Sequence, residues 1–416
     1  MNATSLTCRE CGFEYPLEAR YVCERCFGPV EVAYDFSALT GDPESLKRRI
    51  QAGPPTIWRY ADFLPVETLP QGPYAGLPVG YTPLVKADRL AARLGIDGEL
   101  YVKNDAHNPT HSFKDRVVAV ASARARELGM TTLACASTGN LAGAVAAQAA
   151  ALGLESYVFI PADLEEQKIL STGIYGTKLV RVKGNYDDVN RLCTELSGER
   201  DWAFVNVNVR PYYAEGSKTL AYEIAEQLDW QVPDRIVAPI ASGSLFTKIK
   251  KGFEEWRSVG LIDGDQPVMH GAQATGCSPV ATAYAEGKDF IKPVKPDTIA
   301  KSLAIGNPAD GPYAIDVANT TGGSIEAVAD DEIRAGIKLL AETTGIFTET
   351  AGGVTTAVLA KLAEAGKIPA GQRTVIVITG DGLKTLDAVR GSFESYLVEP
   401  TLSDFITHVE NEVLVP

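Results

Sequence analysis

The sequence predicts an α/β fold: two open, mostly parallel sheet lobes with a small cysteine-bearing appendage in front. Three observations carry this expectation. From residue 82 onward, short β-branched runs alternate with helical stretches, the pattern of βαβ units around a parallel sheet. The 416 residues exceed a single ordinary core, since a domain holds roughly 100–200 residues, so two lobes are expected. Hydrophobic residues at 45% and charged residues at 22%, without a low-complexity tract, supply a buried interior for both.

At the start, Cys8-Arg9-Glu10-Cys11 and Cys23-Glu24-Arg25-Cys26 repeat a Cys-x-x-Cys knuckle, each able to turn two thiolates to one side. Four sulfurs suit one tetrahedral Zn2+ and suggest a zinc-ribbon-like unit over residues 1–35. The loop between the knuckles is shorter than the commonest spacing, and a metal-free hairpin or reversible disulfides are the alternatives. Four sulfur ligands leave no open coordination position, so a metal here is expected to be structural and far from the chemistry. The other thiols, Cys135, Cys193 and Cys277, read as inert core residues.

Residues 36–80 are rich in proline, with Pro54, Pro55, Pro65, Pro70 and Pro73, and read as a connecting arm on the main body. Strands are then expected at 100–103, 132–136, 156–160, 178–182, 235–240 and 373–378. Helices are expected at 116–128, 141–152, 186–198, 217–228, 247–259, 330–343 and 353–365. The smaller lobe is assigned to 125–225, the larger to 81–124 with 226–400, and a tail to 401–416.

A net charge of −14 argues against nucleic acid or an anionic membrane as a partner, since both select a basic face. Small anionic ligands stay open, because backbone amides, helix N-termini and a few cations bind them locally. Residues 1–7 lack the pattern of a secretory signal, and the alanine-rich stretch 141–154 is too short to span a bilayer. A cytoplasmic location is therefore expected.

Three turns follow expected strands and open toward helices, where ligands collect in open α/β sheets. In the first, Ser137, Thr138 and Gly139 offer hydroxyls and unhindered amides suited to a carboxylate, and Asn140 adds a donor for a phenolic oxygen. The same residues also suit plain helix capping. The second turn, Ala241, Ser242, Gly243, Ser244 and Leu245, lacks both the Walker lysine and Gly-x-Gly-x-x-Gly. Nucleotides are thereby demoted, and a single phosphate monoester is left. The third, Thr379-Gly380-Asp381-Gly382, offers one hydroxyl to a ring nitrogen or is an ordinary turn. Lys114 stands at the start of an expected helix, after Phe113 and before Asp115 and Arg116. Desolvation, neighbouring cations or a helix N-terminus make such an amine nucleophilic toward a carbonyl.

Taken in order, Asn108-Pro109-Thr110-His111-Ser112-Phe113-Lys114-Asp115-Arg116, the Ser-Thr-Gly-Asn turn, the small-residue loop and Thr-Gly-Asp-Gly-Leu-Lys resemble the fold type II pyridoxal phosphate enzymes. Within them the chain looks like the threonine synthases, some of which also carry a Cys-x-x-Cys pair at their start. The resemblance implies that Lys114 forms the Schiff base with pyridoxal 5′-phosphate beside Phe113 and that Asn140 meets the cofactor's phenolic oxygen. It further implies that residues 241–245 hold the cofactor phosphate and that Thr379 faces the pyridine nitrogen. Ser137, Thr138 and Gly139 are assigned to the substrate carboxylate. Asn206, Asn208 and Arg210 are assigned to the substrate phosphate, with Arg210 as its cation.

The implied reaction converts O-phospho-L-homoserine and water to L-threonine and phosphate, with the smaller lobe closing on the substrate. A serine or threonine dehydratase, or a β-replacement synthase, is the alternative. The resemblance also implies a homodimer. His111 departs from the family by replacing a glycine, Ser242 and Ser244 by replacing asparagine and glycine, and Asp381 by replacing histidine or asparagine.

Overall fold

The structure, a computed structural model, describes residues 1–69, 76–184 and 186–410. Pro70 and Pro73 of the arm and residues 411–416 of the tail lie outside the described residues. In chain order the strands are β1 (Ala3–Cys8), β2 (Glu14–Tyr15), β3 (Val30–Tyr34), β4 (Leu84–Lys86), β5 (Gly98–Asn104), β6 (Thr132–Ala136) and β7 (Glu155–Pro161). They continue as β8 (Lys178–Val182), β9 (Ala203–Phe204), β10 (Arg235–Pro239), β11 (Val268–Ala274), β12 (Ser324–Val328) and β13 (Gln372–Ile378).

Three sheets result. The first 34 residues form an antiparallel sheet in the order β2-β1-β3. A parallel sheet runs β8-β7-β6-β9, and a larger one runs β12-β11-β10-β13-β5-β4, parallel except for its edge strand β4. The apolar runs of β10 and β13 explain their central place. Ile236, Ala238, Val375 and Val377 enter one apolar cluster, whereas Val237, Ile376 and Ile378 enter another. Alternate residues face opposite sides, so both faces of this sheet are covered, as parallel sheets require.

All six expected strands and all seven expected helices coincide with observed ones, with ends shifted by a few residues. Three strands of the larger sheet, the short edge strand β4 and the strands β11 and β12, have no counterpart in the sequence expectations. β11 reads Val-Met-His-Gly-Ala-Gln-Ala, in which polar residues interrupt the apolar run. The fold satisfies them internally: Gln273 Oε1 accepts the Val280 and Ala281 N–H groups, and His270 Nδ1 pairs with Ser324 Oγ at 3.0 Å. Burial, reinforced by the nearby Arg235, lowers the His270 imidazole to about 4.

The arm is more structured than its prolines suggest. Pro43 starts the helix Pro43–Gln51, whose first turn is capped by the Asp42 carboxylate accepting from Ser45 N–H at 2.9 Å. A 3-10 segment, Ile57–Phe63, then buries Tyr60 and Phe63 against Tyr222 and Trp256. Among the described residues no helix is long and apolar enough to cross a membrane.

A cluster of buried charges joins residues 82–116 to the helix Thr219–Gln227. Arg116, fully buried, donates to both oxygens of Asp105 at 2.7 Å and to Glu223, and it also reaches Thr219 and Thr82. Lys103 adds a second cation at 2.6 Å from Glu223. Burial opposes ionisation of Glu223, but Arg116 and Lys103 override it and hold the carboxyl down to about 2. We expect Arg116→Met to lower stability by about 3–5 kcal/mol, because it strands two buried carboxylates. An unchanged urea midpoint would refute this. With a folded-state value of about 2 against the ordinary 4.5, Glu223 contributes its stability fully above the ordinary value and loses it as pH falls toward 2. Acid titration of wild-type unfolding should therefore show a loss in that window that Glu223→Gln lacks.

Candidate functional site

The segment between β5 and the helix Lys114–Glu127 is a tight loop built by its own side chains. Asp115 accepts the Thr110 N–H and the Thr110 hydroxyl, each at 2.7 Å. Burial raises the Asp115 carboxyl to about 6, although both bonds from Thr110 favour the anion. Lys114 is the first helical residue. Its Nζ donates to the Tyr213 hydroxyl at 2.9 Å and lies 4.8 Å from the centre of the Phe113 ring. Beside it Ser112 Oγ is buried without a partner.

The third turn is stitched to this loop. Phe113 N–H donates to Thr379 C=O at 2.9 Å, and Asp381 N–H donates to His111 C=O at 3.1 Å. Asp381 caps the following 3-10 segment by accepting Leu383 N–H at 2.8 Å. His111 has a φ of +60° and an exposed side chain. That backbone region favours glycine, which explains why glycine is the commoner residue in the related motif.

Glu349 joins the first turn to the third. Its N–H donates to Gly380 C=O at 3.1 Å, and its carboxylate accepts Asn140 Nδ2 at 3.0 and 3.2 Å. A Cβ at Gly380 would lie 2.5 Å from Glu349 Oε1, so a side chain there would displace the carboxylate. Burial raises the Glu349 carboxyl, against the opposing influence of Asn140 and the nearby lysines. Glu349 and Tyr213 are both absent from the sequence expectations. Spacing signals Tyr213, which lies three residues after Arg210 on one helical face. Glu349 carries no such signal, because its burial depends on long-range packing.

The second turn leads from β10 into the helix Ser244–Ser258. Gly243 adopts a φ of +100°, and a Cβ there would lie 2.6 Å from Asp310 C=O. The first N–H groups of this helix have no partner within it and so form a cradle for an anion. Asp310 packs on the cradle, with its N–H donating to Ser242 C=O at 2.8 Å, and pairs with Arg210 at 2.6 Å. Asn206 Oδ1 is buried and unpartnered, whereas both ends of the Asn208 amide close the turn around residues 202–208 through Phe204 N–H and Trp202 C=O, at 2.9 Å each. Ser137 is buried, Thr138 half-buried and Gly139 exposed, and Ser137 Oγ accepts Gly139 N–H at 3.3 Å.

The four N-terminal sulfurs, of Cys8, Cys11, Cys23 and Cys26, lie within 4.8 Å of one another and none is in a disulfide. Cys8 and Cys26 approach to 3.4 Å and Cys11 and Cys23 to 3.6 Å. A tetrahedral Zn2+ with bonds of about 2.3 Å sets its sulfurs about 3.8 Å apart, so the donor set fits such an ion. The Tyr15 hydroxyl at 3.2 Å holds the Cys23 thiol down to about 6, overriding its burial.

The residues around Lys114 likewise fit pyridoxal phosphate. An amine for its carbonyl, an amide donor, a hydroxyl-bearing turn and a glycine-shaped anion cradle converge, with Ser112 Oγ still free to bond. Residues 76–380 match the family described as pyridoxal-phosphate dependent enzyme. A threonine synthase of Methanocaldococcus jannaschii is 40% identical, covering 94% of this chain and 96% of its own. A second threonine synthase, from a Bacillus species, is 37% identical over 79% of this chain and 90% of its own. Among solved structures, a processed threonine deaminase from Solanum lycopersicum superposes with a TM-score of 0.63 at 22% identity, covering 85% of this chain and 94% of its own. That likeness shows the fold. The chain belongs to the pyridoxal-phosphate dependent enzyme family and, within it, to the threonine synthases.

Proposed function

We propose that this chain converts O-phospho-L-homoserine and water to L-threonine and phosphate. One observation carries the choice of substrate: two anion-binding features accompany Lys114, the cradle at 241–245 and Arg210 one helical turn from Tyr213. An enzyme acting on serine or threonine needs only the first. The named relatives support the same choice.

Bound through Lys114, pyridoxal phosphate supplies an electron sink when protons leave the substrate carbons. The protein binds, orients and moves protons. The free Lys114 amine would take the α proton and later return it, and its hydrogen bond to Tyr213 keeps Nζ aimed. Phe113 would lie beside the cofactor ring, and the 241–245 amides would neutralise its phosphate. Asn140, which donates to Glu349, would turn its amide to the phenolic oxygen. Thr379 offers the ring nitrogen a neutral hydroxyl, which does not require that nitrogen to be protonated and so suits elimination and addition over transamination.

Ser137, Thr138 and Gly139 hold the substrate carboxylate, while Asn206 and Arg210 receive its phosphate. Asn208 serves by holding their turn. Closure of the lobe at 125–225 excludes water other than the one that adds. Cys8, Cys11, Cys23 and Cys26 bind one structural Zn2+. Reduced thiolates of this kind suit a cytoplasmic location.

Steady-state assays should show phosphate release from phosphohomoserine coupled one-to-one to threonine. Rapid 2-oxobutyrate formation from threonine, without phosphate release, would refute the assignment. Lys114→Ala is expected to abolish turnover and the cofactor's linked absorbance while leaving the melting curve in place. Arg210→Ala should raise KM about 10- to 100-fold, the loss of a charged hydrogen bond. Metal analysis should find one zinc per chain, lost together with Cys8→Ser, and a metal-free wild type would exclude the ribbon site.

A further inference from the structure

The cysteine sheet lies against the machinery proposed to hold the substrate phosphate, contrary to the expectation that its metal stands far from the chemistry. Its contacts converge on the short helix Arg210–Glu215, which carries both Arg210 and Tyr213. At one end of this helix, Tyr34 of β3 donates to Glu215 Oε2 at 2.7 Å. In its middle, the Tyr212 hydroxyl donates to Glu18 C=O at 2.9 Å, and Tyr212 shares an apolar cluster with Leu6, Val30 and Val32. At the other end, the first Cys-x-x-Cys knuckle reaches Arg210 through a single shared carboxylate.

That carboxylate is Asp310. Its Oδ2 lies 2.6 Å from Arg210, and its Oδ1 lies 4.0 Å from Arg9, a residue between two of the clustered cysteines. Arg9 is itself fixed in place. Its guanidinium stacks 3.5 Å from the centre of the Tyr313 ring, and it pairs with Glu31 at 3.0 Å. Glu10, the other residue inside the knuckle, bonds to the Tyr313 hydroxyl. The knuckle is thus docked on the start of the helix Gly311–Thr320, immediately after Asp310.

We propose that Arg9 is a positioning residue for phosphate recognition, and that the metal knuckle holds it beside Asp310 so that Arg210 can exchange Asp310 for the substrate phosphate. The physical reason is a sharing of charge. With Arg9 in place, Asp310 keeps a cation when Arg210 leaves it for the incoming dianion. Without Arg9, Asp310 holds Arg210 as its one close cation among the described residues, and the exchange strands a nearly buried carboxylate beside a second anion. This inference rests on the proposed assignment of Arg210 to the substrate phosphate.

The test uses the holoenzyme, whose cofactor fills the 241–245 cradle, and inorganic phosphate as the probe, with binding measured by calorimetry. Arg210→Ala first identifies the phosphate site. Arg9→Ala should then weaken phosphate binding about 5- to 10-fold, a coupling of ordinary size, and should raise KM for phosphohomoserine by a similar factor with little change in kcat. Arg9→Lys, which keeps the charge, should recover most of the loss. Asp310→Asn should leave phosphate binding equal or tighter, the opposite sign, which a general loosening of the fold does not produce. Removing the metal with a chelator should weaken phosphate binding as Arg9→Ala does.

If Arg9→Ala or metal removal leaves phosphate affinity unchanged while Arg210→Ala abolishes it, the proposal fails and the substrate assignment stands. If Arg210→Ala has no effect on phosphate, or wild type does not bind it, the site assignment fails and takes the proposal with it.

Discussion

The position of Lys114 depends on the fixing of Arg116. Successive residues on a helix point about 100° apart, so Lys114, Asp115 and Arg116 face three directions from the start of one helix. Asp115 turns back onto Thr110 and closes the loop. Arg116 turns inward, where Asp105, Glu223, Thr82 and Thr219 satisfy its donors. Lys114 alone is left facing the site. Two cations, Lys103 and Arg116, balance two carboxylates, Asp105 and Glu223, and the carboxylate of Glu223 also receives Tyr81 and Thr82 N–H at 2.7 and 3.1 Å. Apolar side chains of the same volume could give equal stability. They could not aim one helix to the accuracy that a nucleophilic amine requires, and the Lys-Asp-Arg order is intelligible on that ground.

From this fixed helix the rest of the site is assembled by backbone stitches between segments distant in sequence. Phe113 to Thr379 and His111 to Asp381 tie the lysine loop to the turn after β13, and Glu349 to Gly380 ties the start of the helix Thr350–Glu364 to that same turn. Asn140 to Glu349 ties in the turn after β6, which belongs to the other parallel sheet. The last of these links is made by side chains alone. Motion of one sheet against the other would therefore break it and leave the backbone links intact, an arrangement that suits the closure proposed for residues 125–225.

Local signals made much of this legible in the sequence. The strands and helices with uninterrupted apolar periodicity, the knuckle spacing and the glycine-bearing turns all depend on neighbours within a few residues, and all are observed. The unrecognised parts depend on distant partners. β11 hides because His270 and Gln273 are polar, and their satisfaction comes from Ser324, Val280 and Ala281. Glu349 looks like any acid before a helix until Asn140 meets it. Asn208 looks like a ligand donor until its own turn engages both ends of its amide. The cysteine sheet reads as a separate appendage because no local feature reveals that Tyr34, Glu18 and Arg9 reach toward residues 210–215 and 310.

The net charge of −14 and a site suited to anions are reconciled by the way its carboxylates are engaged. Asp105 is held by Arg116, Asp310 by Arg210 with Arg9 beyond, and Asp381 accepts the Leu383 N–H of its own turn. Asp115 and Glu349, buried and with no cation in direct contact among the described residues, are pushed by burial toward the neutral form. Paired or partly neutralised in this way, they oppose an anionic ligand much less than free carboxylates at the same positions, because repulsion inside a low-dielectric cleft greatly exceeds that at the surface. The excess negative charge is left on the outer surface, where it is screened within about 8–10 Å at physiological salt. On the proposed assignment, a small anion entering the site would therefore meet helix N-termini, amides and Arg210 rather than the charge of the whole chain.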